Sequence, residues 1–400
     1  MCEEGLTIGT FLCTSLILVG WVFLGLLAAY SLRIHRFIFW PEQDPGVGAA
    51  IEVHILEGAP GRRVVPEWEP ARGLLVAYPF QLPVAMLREV ANDTPLYIVT
   101  RNERKAKKCL RFLEKKAIRT DRVEFIYSQH GTGHQFTRDW GPLTIQDHGE
   151  QAFFDARYLD YPISGYDSSS TALSWTSDLL PFSNYWRDDA APAAVARHFR
   201  VRAEHGKIAL TGGAVMFDGQ GTLFIHQLVL DENRAMGISL DEFKEQLAEV
   251  LGVKRLIVLP NYESQGIQHI DCFLKLLDTH RLLVKRLATD HPDYGRVEGI
   301  VDGLTALQTP QGDPYEVLRI DTPNYAKDRA APYTNSLILN GKIFVPLMGI
   351  PGDAVAIETW EAVMPGYKVF GFQADKRMHP WRYTDALHCR TKSIFLQYSS

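Results

Sequence analysis

Five residues between positions 139 and 389 carry side chains that suit one kind of chemistry. They are a thiol, an imidazole, two carboxylates and an amide, namely Cys389, His269, Asp271, Asp139 and Asn335. A planar guanidinium presents N–H donors along its edges, and a carboxylate accepts two of them in a fork. Two acids therefore suit a guanidinium that is held by two edges. If these residues meet in the fold, the sequence predicts a site for a guanidinium group.

Cys389 is the candidate nucleophile in such a site. A thiolate attacks carbon near neutral pH once a nearby cation or histidine lowers the pKa of the thiol. His269 would transfer protons, first to the departing ammonia and then from the water that splits the covalent thiouronium intermediate. His269 and Asp271 are two positions apart, so they share one face of an extended segment. On that geometry Ile270 and Cys272 point to the other face.

Each of these residues also has a simpler structural interpretation. Asp139 fits a turn residue paired with Arg138. His269 and Asp271 fit a pair on a surface strand, and a single Cys389 is more commonly a small buried hydrophobe than a nucleophile. Recurrence of these residues in similar loops is what favours a shared site.

The order of structural elements repeats along the chain. A helix, a strand, a polar loop and a hairpin recur, and the loops follow one another at intervals of 73, 59, 64 and 54 residues. The loops are centred on Asp139, Gly212, Asp271, Asn335 and Cys389. This repetition predicts five α/β modules. An additional strand at Gly73 to Tyr78 would complete the last module and close a ring, so that the loops converge at one end of a central axis. An open doubly wound sheet is the alternative.

The third module has the clearest boundaries. Ser239 and Glu242 form a capping box for a helix that ends at Gly252, and Arg255–Leu259 reads as the following strand. In the fourth module Asn340-Gly341 predicts the turn of a hairpin.

The composition limits the class of protein. With 400 residues, 46% hydrophobic and 22% charged, the chain is globular, and its net charge of -5 argues against a nucleic-acid-binding protein. The sequence contains neither a Gly-x-Gly-x-x-Gly motif nor a Walker loop. Its five cysteines form no Cys-x-x-Cys pair, so we interpret them as free thiols and expect neither a metal nor a cofactor.

The N-terminal segment predicts a membrane anchor. Gly5 to Leu32 contains no charged residue, and about 20 apolar helical residues cross a bilayer. A cleavable signal peptide or a buried core helix is the alternative. Because Arg33 and Arg36 follow this run while only acids precede it, the positive-inside rule places the catalytic domain on the cytoplasmic side of a single-pass protein.

Composition divides the chain into three parts. We expect an anchor at residues 1–38, a Pro- and Gly-rich linker at 39–64 and a catalytic α/β domain at 65–400. A long insertion at 161–186 is either a lid that sets substrate size or a surface loop.

Five short motifs occur in a fixed order along the α/β domain. They are Glu67-Trp68-Glu69-Pro70, Arg138-Asp139-Trp140-Gly141-Pro142, Gly212-Gly213, His269-Ile270-Asp271 and Leu387-His388-Cys389-Arg390-Thr391. In this order the motifs resemble those of the agmatine deiminase and Porphyromonas-type peptidyl-arginine deiminase family, which belongs to the guanidine-modifying pentein superfamily. The resemblance spans about residues 65 to 400.

The resemblance implies the pentein fold, an α/β propeller of five pseudo-symmetric modules, which agrees with the module count. It also implies roles for the site residues. Asp139 and Asp271 would hold the guanidinium, His269 would be the acid and base, and Cys389 would be the nucleophile.

Three further residues are implied as substrate-binding. The segment around Asn335 resembles the peptidyl-arginine branch, in which the matching Asn lies beside the Cys. Phe136 matches an aromatic residue that lies over the aliphatic stem of the substrate. Trp140 is also expected to bind the substrate.

The first functional hypothesis is deimination of arginine in peptides or proteins to citrulline. The alternative is deimination of agmatine to N-carbamoylputrescine, although Thr211 and Ala214 flank the Gly pair where agmatine deiminases usually carry an acid and an Asn. The expected partners are therefore an arginine-containing peptide or protein, or agmatine, and the membrane. A non-catalytic pentein binding protein and a Cys-His-Asp peptidase are further alternatives.

Overall fold

The computed structural model describes residues 50–158, 185–263, 268–326, 329–374, 381 and 385–397. The anchor predicted at 1–38 and most of the insertion at 161–186 lie outside these residues, so both stay predictions. Among the residues that the structure describes, no helix is both long and apolar enough to cross a membrane.

Helices cover the outer faces of strands throughout the described chain. The α-helices are α1 (Val84–Ala91), α2 (Glu103–Lys115), α3 (Thr137–Trp140), α4 (Tyr185–Asp189), α5 (Ala191–Phe199), α6 (Gln227–Ala235), α7 (Leu240–Leu251), α8 (Tyr294–Ala306) and α9 (Gly352–Val363). Two 3-10 turns, at Gly212–Ala214 and Ile270–Cys272, lie in polar loops.

The strands are short and follow in regular succession. They are β1 (Glu52–Ile55), β2 (Arg62–Val64), β3 (Gly73–Ala77), β4 (Leu96–Thr100), β5 (Val123–Tyr127), β6 (Leu143–Asp147), β7 (Glu150–Arg157), β8 (Arg202–Ala209), β9 (Val215–Phe217), β10 (Thr222–His226), β11 (Arg255–Leu259), β12 (Leu274–Leu276), β13 (Arg281–Leu287), β14 (Glu316–Thr322), β15 (Asn324–Ala326), β16 (Arg329–Ala330), β17 (Leu337–Leu339), β18 (Lys342–Leu347), β19 (Lys368–Gln373) and β20 (Lys392–Ile394).

One pairing unit recurs five times among these strands. An antiparallel pair is followed by a parallel strand in β6-β7-β8, β9-β10-β11, β12-β13-β14, β17-β18-β19 and β20-β3-β4. The five predicted modules are therefore confirmed, and β15 with β16 forms an additional ribbon.

Strand β20 joins the end of the described chain to its N-terminal module. It runs antiparallel to β3, with Lys392 opposite Leu75 and Ile394 opposite Gly73. Without β20, one edge of β3 would present unpaired backbone groups. The predicted completion of the last module by the N-terminal strand is thus confirmed.

Local sequence signals fix several element boundaries as predicted. The Ser239 side chain accepts from Glu242 N, the Glu242 side chain reciprocates, and Gly252 ends α7 in the left-handed region. Between β17 and β18, Asn340 and Gly341 both have positive φ, at 48° and 73°. Those angles match the two central residues of a type I′ hairpin turn.

The linker predicted at 39–64 is wrong for its second half. Strand β1 pairs antiparallel with β11, and β2 pairs antiparallel with β6, so both belong to the folded domain. Pro60 and Gly61 lie in the turn between these strands. Their composition predicted irregular chain, whereas the edges of β6 and β11 supply partners that only the tertiary fold creates.

Five clusters of buried side chains form the hydrophobic interior. One cluster contains Phe273 and extends to Cys389, and another surrounds Trp360 between α9 and its sheet. The Trp360 Nε1 donates to the Tyr333 carbonyl at 3.2 Å, which satisfies the buried indole. The polar loops of the five modules lie next to these clusters.

The ring closure by β20 generates a stability prediction. Replacing the fully buried Ile394 with Ala removes methyl groups from the core, and we expect the free energy of unfolding to fall by about 2–5 kcal/mol. Chemical denaturation followed by circular dichroism measures the change. Ile55→Ala is the matched control, because Ile55 on β1 is 77% exposed. Equal stability of both variants would contradict a closing role for β20.

Candidate active site

The five residues predicted to share a site do meet. The Cys389 Sγ lies 3.1 Å from Asn335 Nδ2 and 3.6 Å from Asp271 Oδ2. The His269 Nδ1 lies 3.6 Å from Asp139 Oδ1. All five side chains are buried. The structure thus brings a thiol, an imidazole, two carboxylates and an amide to one place.

Backbone N–H groups connect α3, which carries Asp139, to the Gly212-Gly213 turn and to the loop that carries Cys389. Gly213 N donates to Asp139 Oδ1 at 3.2 Å, and Arg138 N donates to the Cys389 carbonyl at 3.2 Å. A Cβ atom at Gly212 would lie 1.9 Å from the Arg138 carbonyl oxygen. The Gly pair is therefore needed for close approach of this turn to α3.

Asn335 holds the loop that carries Cys389. Its Oδ1 accepts from the backbone N–H groups of Ala386, His388 and Cys389 at 3.1, 3.1 and 3.2 Å. Its Nδ2 then faces the Cys389 sulfur. In the structure Asn335 fixes the loop that carries Cys389, whereas the sequence predicted only that Asn335 contacts the substrate.

A chain of buried charges lies behind the two carboxylates. Asp271 Oδ2 accepts from His388 Nδ1 at 2.6 Å, and His388 Nε2 lies 2.8 Å from Glu67 Oε1. Glu67 also binds Arg138 at 3.0 Å and Lys275 at 2.9 Å. The sequence motifs contained Glu67, Arg138 and His388, but their residue types alone gave no indication of this chain.

The pKa values of the two carboxylates in this chain are lowered. Burial raises the pKa of Asp271, but the hydrogen bond and charge of His388 outweigh burial, so its pKa falls to about 2. Burial likewise raises the pKa of Glu67, and the charges of His388, Lys275 and Arg138 bring it well below its ordinary value. Both groups are therefore anionic at neutral pH.

The remaining three groups have pKa values shifted toward their neutral forms. Burial, followed by the Asp271 charge, raises the pKa of Asp139 well above its ordinary value. Burial lowers the pKa of His269 to about 4. A hydrogen bond with Cys272, then burial and then the Asp271 charge raise the pKa of the Cys389 thiol. At neutral pH these groups therefore include a neutral imidazole, a protonated thiol and the Asp271 anion.

The predicted direction of the Cys272 side chain is wrong. Ile270–Cys272 is a 3-10 turn and not an extended segment, so successive side chains do not alternate between two faces. The Cys272 Sγ lies 3.5 Å from Asn335 Nδ2 and 3.4 Å from Asp271 Oδ1. Cys272 consequently lies beside the nucleophile and not on the opposite face.

Phe136 and Trp140 lie in different surroundings. Phe136 is half-buried, packs against the cluster that contains Cys389 and stacks on the His134 ring. Trp140 is 3% exposed and packs in the interior cluster of α5, so the prediction that it contacts substrate is not supported. Trp140 follows Asp139 by one position on α3, which turns its side chain by about 100° away from the site.

The acid and the two thiols also form a set of potential metal ligands. The donor atoms of Asp271, Cys272 and Cys389 all lie within 4.8 Å of one another. The sequence indicated no such set, because the two thiols are 117 positions apart. A bound thiophilic cation would occupy the sulfur that nucleophilic catalysis requires.

A cavity of about 60 Å³ lies next to the buried charges. Glu67, Arg138, Lys275, His388 and Lys392 are among its lining residues, together with apolar side chains. Burial, reinforced by the Arg138 charge, lowers the pKa of Lys392 to about 7.

Comparisons with known proteins identify the family. The sequence profile of the Porphyromonas-type peptidyl-arginine deiminases matches residues 63–394. Agmatine deiminase of Pseudomonas aeruginosa is 26% identical over 263 residues, which cover 58% of this chain and 68% of that protein. A relative from Vibrio parahaemolyticus, assigned provisionally as an agmatine deiminase, is 25% identical over 240 residues, which cover 53% of this chain and 65% of that protein.

A solved structure agrees with the module count. C. jejuni agmatine deiminase superimposes with a TM-score of 0.64 at 18% identity, over 84% of this chain and 96% of that one. At this identity the likeness shows the fold alone, which is the predicted α/β pentein fold.

The matching profile and the named Pseudomonas aeruginosa relative are of hydrolases that act on the C–N bond of a guanidino group. The chain belongs to the Porphyromonas-type peptidyl-arginine deiminase family.

The charges behind the site generate a prediction about Glu67. In Glu67→Gln, the buried Arg138 and Lys275 lose their shared carboxylate, and we expect the free energy of unfolding to fall by about 3–5 kcal/mol. Urea denaturation measures the loss. Glu69→Gln is the control, because Glu69 pairs with Arg63 in a half-exposed position and its removal should cost less than about 1 kcal/mol. A Glu67→Gln variant as stable as the control would contradict this account of the buried charges.

Proposed function

We propose that this protein hydrolyses the guanidinium group of agmatine to a ureido group and ammonia, with Cys389 as nucleophile. The observation that carries the proposal is the position of the Cys389 thiol between the Asp271 carboxylate and the Asn335 amide. A carboxylate beside a nucleophilic thiol suits a cationic substrate, because the anion alone would oppose thiolate formation.

Substrate binding would begin with the two acids. Asp271 is already anionic, and a bound guanidinium would favour ionisation of Asp139 by placing a positive charge beside it. Two carboxylates then accept N–H donors from two edges of the substrate. The same positive charge lowers the pKa of the Cys389 thiol, so the nucleophile is activated when the substrate binds and not before.

Attack on the guanidinium carbon follows. The thiol proton passes to neutral His269 while sulfur bonds to carbon, and collapse of the tetrahedral adduct breaks one C–N bond. The departing nitrogen takes the proton from His269 and leaves as ammonia. The product of this half-reaction is a covalent thiouronium on Cys389.

Water completes the reaction. His269, neutral again, takes a proton from a water molecule that adds to the thiouronium carbon. The C–S bond then breaks, the added hydroxyl loses its proton to solvent as the ureido carbonyl forms, and the proton held by His269 returns to the Cys389 sulfur. For agmatine the ureido product is N-carbamoylputrescine.

The choice of agmatine rests on the named relatives. The Pseudomonas aeruginosa and C. jejuni relatives are agmatine deiminases, so we now place agmatine ahead of peptidyl arginine, which was the first hypothesis from sequence. The matched segment covers only 65% of the Vibrio parahaemolyticus relative, so the substrate of the whole protein stays a proposal.

Peptidyl arginine is the second candidate, and two observations favour it. The matching family profile carries the peptidyl-arginine name. Thr211 and Ala214 flank the Gly pair where an acid and an Asn would suit the second cation of agmatine.

A substrate panel tests both proposals. The full chain is incubated with agmatine, free arginine and arginine peptides, and ammonia and ureido product are measured. We expect the highest kcat/KM with agmatine, whereas a preference for peptides would overturn the substrate choice. Cys389→Ala should lower turnover by at least about 1,000-fold, because the covalent thiouronium forms on the Cys389 sulfur. Cys109→Ala is the control, since this buried thiol lies in a separate cluster, and turnover that survives in Cys389→Ala would refute the mechanism.

The pKa of His269 generates a prediction for the pH profile. His269 acts as a neutral base, and its pKa of about 4 means that the base is protonated only in more acidic solution. We expect kcat/KM with agmatine, which reports the pKa values of the free enzyme, to fall in acidic solution with a midpoint near pH 4. Returning samples to pH 7 controls for unfolding. An acid midpoint near 6.5, the ordinary histidine value, would contradict the assignment.

A further inference from the structure

The two buried thiols of the site share their hydrogen-bonding partners. Asn335 Nδ2 lies 3.1 Å from the Cys389 sulfur and 3.5 Å from the Cys272 sulfur. The same Asp271 carboxylate accepts from both thiols, at 3.6 Å from Cys389 and 3.4 Å from Cys272. One amide and one carboxylate therefore hold the two sulfurs side by side.

The reaction proposed above uses only one of these sulfurs. Cys389 attacks the substrate, whereas Cys272 has no step in deimination, although it is 1% exposed and lies at the centre of the site. The third described thiol, Cys109, is packed among aliphatic side chains in another cluster, where burial raises its pKa to about 12. Cys272 is thus the thiol positioned to react with Cys389.

We propose that Cys272 and Cys389 form a reversible disulfide when the enzyme meets hydrogen peroxide, and that this disulfide switches the proposed deiminase off. The inference rests on the proposed function only for its effect on activity. The covalent modification itself depends on the two sulfurs alone.

The separation of the sulfurs allows the bond to form. Both lie within 4.8 Å of each other, and a disulfide brings sulfurs to about 2.05 Å, so side-chain rotations that move each sulfur by roughly 1–1.5 Å are sufficient. The two residues belong to separate turns, the 3-10 turn Ile270–Cys272 and the loop that Asn335 holds.

The chemistry balances with peroxide as the oxidant. Neutral His269 takes the Cys389 thiol proton while the sulfur attacks one peroxide oxygen and the O–O bond breaks, and the released hydroxide takes that proton to give water, which leaves a sulfenic acid on Cys389. The Cys272 sulfur then attacks the sulfenic sulfur, and the departing hydroxide leaves as a second water with the Cys272 proton. The two thiols are oxidised by two electrons and the peroxide is reduced.

The disulfide would inactivate the site because it removes the free Cys389 sulfur and two hydrogen-bond donors. The nucleophilic sulfur is bonded to Cys272, and both S–H donors to Asp271 disappear. Without Cys272, the sulfenic acid on Cys389 would meet further peroxide and proceed to the sulfinic acid, which ordinary thiols do not reduce. Cys272 would therefore protect the nucleophile by trapping its first oxidised form.

Mass spectrometry and activity recovery test the proposal together. The full chain is treated with hydrogen peroxide, remaining thiols are blocked, and peptides are analysed without reduction. We expect a cross-linked pair of peptides joining Cys272 to Cys389 and recovery of most deiminase activity after dithiothreitol. Cys109→Ala should behave like the unmodified chain.

The variant Cys272→Ala separates the possible outcomes. Its activity, relative to its own untreated sample, should be lost to peroxide without recovery in dithiothreitol, and Cys389 should carry two or three oxygens. Equal recovery in Cys272→Ala and the unmodified chain, or absence of the cross-linked peptides, would overturn the proposal. Because the cross-link is read by mass, a protein that forms it but turns over no guanidine would refute the proposed function and leave the disulfide standing.

Discussion

The Asp271 carboxylate is the group on which the rest of the site depends. It is fully buried and anionic, so it needs compensation by hydrogen bonds and charges within the protein. His388 supplies that compensation directly, and Glu67, Arg138 and Lys275 continue it on the far side of His388. In front of Asp271 the two thiols donate to its oxygens. The same carboxylate thus anchors a structural chain of charges and faces the place where chemistry would occur.

The architecture explains how so many ionisable groups meet in a buried position. Each module ends its strands at a polar loop, and the contributing loops belong to segments that are far apart in sequence. Asn335 closes the arrangement, because its single side chain binds three backbone N–H groups of the nucleophile loop and both sulfurs. The Asn335 side chain therefore fixes the geometry of the loop that carries Cys389 through hydrogen bonds from the neighbouring module.

Prediction from sequence succeeded where local signals and repetition decide the structure. The capping box at Ser239, the hairpin turn at Asn340-Gly341 and the five recurring units depend on nearby residues, and all three are confirmed. Prediction failed where the outcome depended on distant partners. Strands β1 and β2 lie in a segment that composition assigned to a linker, because only the edges of β6 and β11 order them. The membrane anchor at 1–38 stays a prediction of the sequence.

The sequence by itself determined the groups from which the proposed chemistry is built: a thiol, a histidine and two acids in recurring loops, within five α/β modules. Those features are properties of residue type and spacing, which the chain carries before it folds. Only the tertiary structure decided which groups surround that chemistry. Trp140 lies in the interior instead of the site, and Cys272 lies beside Cys389, because a helical turn and a 3-10 turn direct side chains differently from an extended segment. The pairing of His388 with Glu67 was equally invisible in the sequence, since it joins residues 321 positions apart that meet only when the ring of modules closes.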